Sequence, residues 1–478
     1  MSSQPANAKS LTTDTITVSG RWAFLGLLGG AALWLAIAGV LGLIASVKMH
    51  SPTLLADCAW FSYGRLKAAA GGAFNFGFAT QAAIAIALWL AAVLGRTTVK
   101  LPFLGAAASK AWNVGVMIGV VGILYGDGTG IEGLEFPRYA VGVLLFAFIG
   151  LALPVFVTFH NRTVRELYPS LWFVIAGMFW FAWLFSSANL LVHFWPVRGV
   201  LQAAVQGWFN NGFVVVWLFP IAIALLLYLR PALSGASIPS RATVLLAFWS
   251  LAFIGPWGGI ATGTPLPAWV GALSTSMSSL IVIPIFALCS SVGGLKPARN
   301  ADPFAAISWK LADFSFLALV LFGVLTALNS FAAVYRLTQF TFVTGALQSL
   351  ALYGVVLTAL LAGAFQILPK IAPPSAMCAR VGGLLLWVSR GGIALLILSL
   401  LLAGLRQGQA LMSAASFADV TAASKMWFRL STMGELLLAL SGLMFLAYVL
   451  STGFRALKAE YAGCAWCGAG AKPAEVAS

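Results

Sequence analysis

The chain is a succession of long apolar runs separated by short polar segments. A helix needs about 20 apolar residues to cross the hydrocarbon of a bilayer. Twelve runs come close to that length: 23–47, 70–95, 111–126, 139–159, 171–192, 211–229, 243–262, 268–292, 314–335, 343–368, 381–404 and 432–453. The third is short. The seventh is interrupted by Gly255, Pro256, Gly258 and Gly259, a break tolerated where neighbouring protein or water satisfies the freed backbone groups. The expected fold is an all-α, polytopic membrane protein: a twelve-transmembrane-helix bundle over 21–455, between a polar tail at 1–20 and a short tail at 456–478. The first run is too long for a signal-peptide core and no cleavage site follows it, so it reads as a retained helix. No soluble domain or internal repeat stands out.

Composition supports this pattern. Of the 478 residues 61% are hydrophobic and 8% charged, where a soluble domain is about a quarter charged. The net charge of +15 would suit nucleic acid, but its distribution argues otherwise. With the N-terminus inside, 17 of the 27 Lys and Arg residues fall on the inner side and 9 on the outer, with Arg390 inside a helix. That excess follows the positive-inside rule and places both termini in the cytoplasm of a bacterial inner membrane. The basic balance is a topology signal; it meets anionic lipid rather than nucleic acid.

Five cysteines form no disulfide framework. Cys464 and Cys467 make one Cys-Ala-Trp-Cys in the C-terminal tail, half of the four ligands a structural zinc takes. Histidine is scarce: His50, His160 and His193 are the only three, each beside an end of an expected helix.

Several stretches are distinctive. Tyr63-Gly64-Arg65-Leu66-Lys67 precedes the second helix, and Gly133-Leu134-Glu135-Phe136-Pro137 the fourth. Pro196 to Val205 leads into the sixth. Pro265-Leu266-Pro267-Ala268-Trp269 separates the seventh and eighth. Thr338-Gln339-Phe340-Thr341 opens the tenth, Pro369-Lys370 closes it, and Gly404 to Gly408 follows the eleventh. In order and spacing these resemble the catalytic subunit of the haem–copper oxidases, and within them the cbb-type cytochrome c oxidases. The resemblance implies a twelve-helix subunit I around a low-spin haem b and a binuclear centre of high-spin haem b and copper. It also implies oxygen reduction, proton pumping and cytochrome c-type partner subunits.

The same resemblance implies six histidine ligands, and at each matching position this chain has another residue. The haem-ligand positions hold Ala70, Leu347 and Ser349. The copper-ligand positions hold Asn211, Gly259 and Ile260. The cross-linked tyrosine position holds Phe253. Alanine, glycine, isoleucine and leucine offer no ligand atom, and copper and haem iron favour imidazole, thiolate or thioether over amide or hydroxyl. Six imidazoles are required and three exist, all near helix ends. No haem b and no copper is therefore expected.

A vanished haem leaves a void that protein interiors do not keep. Phe74, Phe76, Phe78, Trp208, Trp217 and Trp257 are candidate fillers, and Met178 and Met277 read as packing. The alternative is a bound lipid, quinone or water. Arg390 lies inside the eleventh helix, where an arginine faces a partner or a cavity; Glu435 is the acidic partner suggested by position. Ser274, Thr275, Ser276, Ser278 and Ser279 read as interhelical glue or as part of a hydroxyl path. Asp57, Asp127, Glu132 and Glu135 form an outer-face acidic group that a basic cytochrome domain could meet.

The favoured expectation is a haem-free structural or accessory subunit, assembling with membrane-anchored cytochrome c-type subunits or with a catalytic oxidase subunit. The alternatives are a repurposed carrier, channel or quinone-binding protein, and an active terminal oxidase or nitric oxide reductase subunit, which the ligand count opposes.

Overall fold

In the computed structural model the chain is described for residues 11–461, except 238–239, 261–263, 300 and 414. Cys464 and Cys467 lie outside the described residues. The spans are α1 Arg21–Lys48, α2 Tyr63–Leu94, α3 Pro102–Tyr125, α4 Arg138–His160, α5 Ser170–Phe194 and α6 Val200–Ser234. Then come α7 Arg241–Trp257, α8 Ala268–Val292, α9 Pro303–Asn329, α10 Phe342–Ile371, α11 Cys378–Met412 and α12 Phe417–Tyr461. Eleven are long and apolar enough to cross a membrane, and α7 is a shorter apolar helix. The Arg21 guanidinium at the start of α1 meets the Glu460 carboxylate at the end of α12 at 2.8 Å, so the first and last spans have their termini on one side of the bundle.

Sequence and structure differ at span ends. α6 begins eleven residues before the expected 211, because Gln202, Gln206 and Asn210 sit on helical turns that end the apolar run without ending the helix. α9 begins at Pro303, not 314. Asp302 caps it, its carboxylate accepting from the backbone N–H of Phe304 at 3.1 Å, and proline in the first turn is pre-shaped for a helix. The ninth apolar run reaches 335, but α9 stops at Asn329 and a separate short helix, Ala332–Thr338, follows. α12 continues past 455 to Tyr461. Part of the polar N-terminal tail is ordered against the bundle: Thr13–Ser19 is helical, and the buried Thr17 hydroxyl accepts from Trp89 Nε1 at 3.0 Å.

Three spans form the core. The apolar windows of α2, α6 and α10 are 94%, 89% and 89% buried, against 33–50% for the other long spans. A helix apolar all round is buried all round; a span with one lipid face belongs to the outer ring. Small residues bring backbones together. A β-carbon at Gly39 of α1 would lie 2.7 Å from Ala439 Cα of α12, and one at Gly434 of α12 2.7 Å from the Leu396 amide of α11. Without a hydrophobic force between helices in lipid, such close approach supplies the dispersion contact that holds them. A polar knot joins α1, α2 and α3. Trp34 Nε1 donates to Asn113 Oδ1 at 2.8 Å, and Asn113 Nδ2 donates to Gln81 Oε1 at 3.1 Å.

Candidate functional site

The core spans α2, α6 and α10 each depart from α-geometry in mid-membrane. Wide π-turns run over Ala73–Thr80, Gly212–Leu218 and Leu350–Leu357. They begin just past Ala70, Asn211 and Ser349, three of the positions singled out from sequence. π-turns cluster at functional sites because they re-aim side chains across a helix, so these segments keep a shape that ordinary packing does not require.

The structure brings Asn211, Gly259 and Ile260 together. Asn211 Nδ2 donates to the Gly255 carbonyl at 2.7 Å, and the Ile260 amide donates to Ser274 Oγ at 3.0 Å. Gly259 has φ +92°, a left-handed conformation that glycine adopts without steric cost. A β-carbon there would strike the Gly207 carbonyl oxygen and sit 2.6 Å from Asn211 Cβ; one at Gly207 would strike the Gly259 carbonyl. The α6 backbone and the loop after α7 are therefore in direct contact, with no room for side chains between them.

Ala70 is buried on α2, and Leu347 and Ser349 are half-buried on α10. The neighbouring space between α1, α2, α10 and α12 is filled. Phe74 packs on Tyr353 at 4.8 Å and on Phe78 at 5.3 Å, and the cavity left beside them and Glu435 is about 10 Å³. Cofactor pockets run to about 300–1,000 Å³. Phe76 is enclosed by Phe136, Phe185 and Phe213 at 5.0–5.4 Å, and Trp217 is fully buried against Phe181. Met178 is buried in the same core. Trp208 is half-buried edge-on to Trp183. Trp257 is 47% exposed and fills nothing, and Phe253 is 66% exposed beside Trp249 on the outward stripe of α7. Neither faces the core, because the α7 face that packs inward is the one bearing Val244, Ala247, Phe248 and Leu251.

At the positions that the sequence resemblance matches to ligands, Gly259, Ile260, Ala70 and Leu347 have no side-chain donor atom, and the Asn211 amide oxygen and the Ser349 hydroxyl are poor ligands for copper or haem iron. Among the described residues no three His, Cys, Asp or Glu side chains converge as a metal site. The histidines lie apart. His50 follows the end of α1 and bonds Thr432 Oγ1 at 3.2 Å, His160 ends α4 on the side where α1 begins, and His193 lies in the last turn of α5.

A second space remains open. A cavity of about 510 Å³ borders Gly259 and Ile260 and is lined by Ser274, Thr275, Ser278, Thr326, Asn329, Ser330, Tyr335, Arg336 and Gln339. It lies at the ends of α8 and α9 remote from the termini. Its described lining has hydroxyls, amides and one guanidinium and no carboxylate, and Thr326 Oγ1 is buried without a partner. The Ser and Thr residues of α8 make no continuous row: Thr275 bonds back to the Gly271 carbonyl and Ser279 to that of Ser276.

The intramembrane charges pair differently from the sequence expectation. Arg390 does not meet Glu435. Its guanidinium donates to the Lys310 carbonyl of α9 and lies 5.2 Å from the Phe314 ring. Glu435 faces the other way, beside Gly42 of α1, Phe74 and Tyr353. Sequence reasoning missed an ion pair with a fully buried arginine. Arg230, 1% exposed, donates to Asp313 at 2.7 Å and to the Val292 carbonyl at 3.0 Å, and stacks on Trp309 and Phe316. Arg230 and Lys310 count as inner-loop residues by hydropathy, yet both lie within helices. The Asp302-Pro303 cap was the signal that could have placed α9 correctly.

Of the acidic group on the far side, Asp57, Asp127 and Glu132 are exposed and Glu135 is partly buried, and the Asp127 carboxylate accepts from Tyr139 at 3.1 Å. Loss of water around the Glu135 carboxyl pushes its pKa up to about 7, with Glu132 adding to the rise and Lys67 opposing it.

Eleven membrane-length helices, the shorter α7 and the three buried core spans match the subunit I fold of the haem–copper oxidases. A sequence profile of the family cytochrome c and quinol oxidase polypeptide I matches residues 23–437, and the chain belongs to that family. It is 23% identical over 395 residues to the cbb3-type cytochrome c oxidase subunit CcoN1 of Stutzerimonas stutzeri, covering 79% of this chain and 81% of that one. It is 26% identical over 268 residues to a cytochrome c oxidase subunit 1 homolog of Azorhizobium caulinodans, 53% of this chain and 48% of that one. A cryo-EM structure of a heme-copper terminal oxidase dimer superposes with a TM-score of 0.72 at 13% identity, over 91% of this chain and 84% of that one.

Proposed function

We propose that this chain is a haem-free, non-catalytic member of its family, a structural or accessory subunit of a respiratory membrane complex. In this reading it lies in a bacterial inner membrane with both termini cytoplasmic, and it assembles with membrane-anchored cytochrome c-type subunits or with a catalytic oxidase subunit. One observation supports the reading: Gly207 and Gly259 are in backbone contact, and Gly259 is a position that the sequence resemblance matches to a copper histidine. A fold does not deliver an activity when the site is gone. The test is a reduced-minus-oxidised visible spectrum of the purified chain. The expected result is no haem b band; stoichiometric haem b would overturn the proposal.

The cavity of about 510 Å³ favours a second reading, in which the space beside the former copper positions binds a small polar ligand and the protein is a repurposed carrier. Recovery of the chain without partner subunits, together with ligand-dependent thermal stabilisation, would select it.

A further inference from the structure

The cavity of about 510 Å³ beside Gly259 and Ile260 is walled by the start of α8, the end of α9 and the short helix Ala332–Thr338. Most of its hydroxyls are absorbed by their own helices. Thr275 turns back to the Gly271 carbonyl at 2.9 Å and Ser330 to the Thr326 carbonyl at 2.9 Å, as such residues do within a helix. Thr326 does not: its Oγ1 is buried without a partner. Leaving a buried hydroxyl unpaired costs free energy, and on a cavity wall that cost is removed by a ligand atom. Asn329 is half committed. Its Oδ1 accepts from Thr338 Oγ1 at 2.6 Å, which leaves the amide N–H groups as donors.

The charge of the lining has one sign. Arg336 is exposed, so its guanidinium is available, and among the described residues its side chain has no ion pair or hydrogen bond. The segments that build these walls supply no anion to meet it. No Asp or Glu occurs between Glu166 and Asp302 or between Asp313 and Asp419. Asp302 and Asp313 belong to the opposite end of α9: Thr326 lies thirteen residues past Asp313, about 20 Å along the helix.

Size and chemistry then select the ligand. A single inorganic ion would leave most of the space to water, each molecule of which takes about 30 Å³. The guanidinium is a planar fork matched to a carboxylate. One cation and no carboxylate accept one negative charge and offer nothing to an ammonium, which disfavours amines and zwitterionic amino acids. Hydroxyl and amide walls pair with hydroxyls on the ligand.

We infer that this cavity binds a hydroxylated organic monocarboxylate. Its carboxylate meets Arg336, and its hydroxyls meet Ser278, the Asn329 amide and the buried Thr326 hydroxyl. The inference rests on the second reading above only in that the cavity takes a ligand; it does not require the ligand to cross the membrane.

The test is titration calorimetry of the full chain in nanodiscs with sodium gluconate, a hydroxy acid carrying one charge. Sorbitol, which has the hydroxyls without the charge, and inorganic phosphate, which has the charge without the hydroxylated chain, are the comparisons. Gluconate is expected to bind about tenfold more tightly than either. Arg336→Gln, at an exposed side chain with no bond to lose, is expected to bring gluconate down to the sorbitol level. Thr326→Val removes a hydroxyl that has no partner in the fold and is expected to weaken gluconate about tenfold. Arg406→Gln, exposed and outside the lining, is expected to change nothing. No binding of gluconate, equal binding of gluconate and sorbitol, or a preference that survives Arg336→Gln overturns the inference. So does phosphate bound as tightly as gluconate, because the site would then read charge alone. Gluconate bound by the chain but not moved across proteoliposomes supports the site and overturns only the carrier, so the two readings fail separately.

Discussion

Arg390 and Glu435 lie within about one helical turn of each other in depth and face opposite sides of the α11–α12 pair. The depth follows from Gly392 and Gly434, which touch: a β-carbon at Gly392 would lie 3.0 Å from the Gly434 carbonyl. On these antiparallel helices Arg390, two residues before the crossing, and Glu435, one residue after it, lie on the same side of it, a separation in depth of about 1.5 Å at the α-helical rise. Arg390 points to α9 and Glu435 to α1, α2 and α10. Groups with no shared partner contribute additively. Arg390→Met and Glu435→Gln are therefore expected to show a coupling energy below about 0.5 kcal/mol in a double-mutant cycle of thermal unfolding in detergent. A coupling of several times that size would mean the two side chains meet.

Gly259→Ala is expected to destabilise the chain by about 3 kcal/mol, combining a left-handed backbone with a clash. The new methyl would collide with the Gly207 carbonyl and the Asn211 side chain. Gly64→Ala, where nothing lies within 4 Å, is the control and should leave the melting temperature nearly unchanged. By the same geometry, Gly259→His should lower stability further without creating a copper site.

Arg230 is the most exacting charge in the bundle. Arg230→Met leaves the Val292 and Gly293 carbonyls and the Asp313 carboxylate without their donor. The carboxylate left behind is 55% exposed, so the expected cost is that of the buried carbonyl bonds, about 1–3 kcal/mol. Arg230→Lys is expected to recover less than half, because an ammonium cannot reproduce the guanidinium fork. Unfolding temperature and yield of folded protein in detergent are the readouts.

Glu135 makes stability fall as pH rises. Its folded pKa of about 7 lies above the ordinary 4.5, so between these values the folded state binds more protons than the unfolded one. The stability conferred by its protonated form is complete below about pH 4.5 and is lost as pH rises to about 7. The full loss is about 3 kcal/mol, because a tenfold difference in proton affinity between the two states corresponds to about 1.36 kcal/mol. Glu135→Gln is expected to flatten the profile and to raise the melting temperature at pH 8 relative to the unsubstituted chain. An unchanged profile would mean the carboxyl is solvated.

Much was legible in the chain itself. Long apolar runs fix the order of the helices, because the bilayer leaves a backbone no option but to satisfy its own hydrogen bonds, and the run broken by Gly255 to Gly259 is the one whose helix falls short of membrane length. Residue identity alone shows that Ala70, Gly259, Ile260 and Leu347 have no metal-binding atom. Helix ends were less legible, since hydropathy locates the lipid and not the helix: Lys310 and Asp313 looked like a loop and Gln202 like the approach to a span.

Only the tertiary structure decided how the space around Ala70, Gly259 and Ser349 is occupied. Phe74 and Tyr353 close one space to about 10 Å³ while polar residues leave about 510 Å³ open in another, a difference set by packing between distant segments. The fold likewise decided that Arg390 serves a backbone carbonyl of α9 and that Asp313 belongs to Arg230. Sequence determines which side chains enter the membrane. Which of them face one another depends on the rotation of each helix about its axis, and that is fixed by where glycines let neighbouring backbones touch.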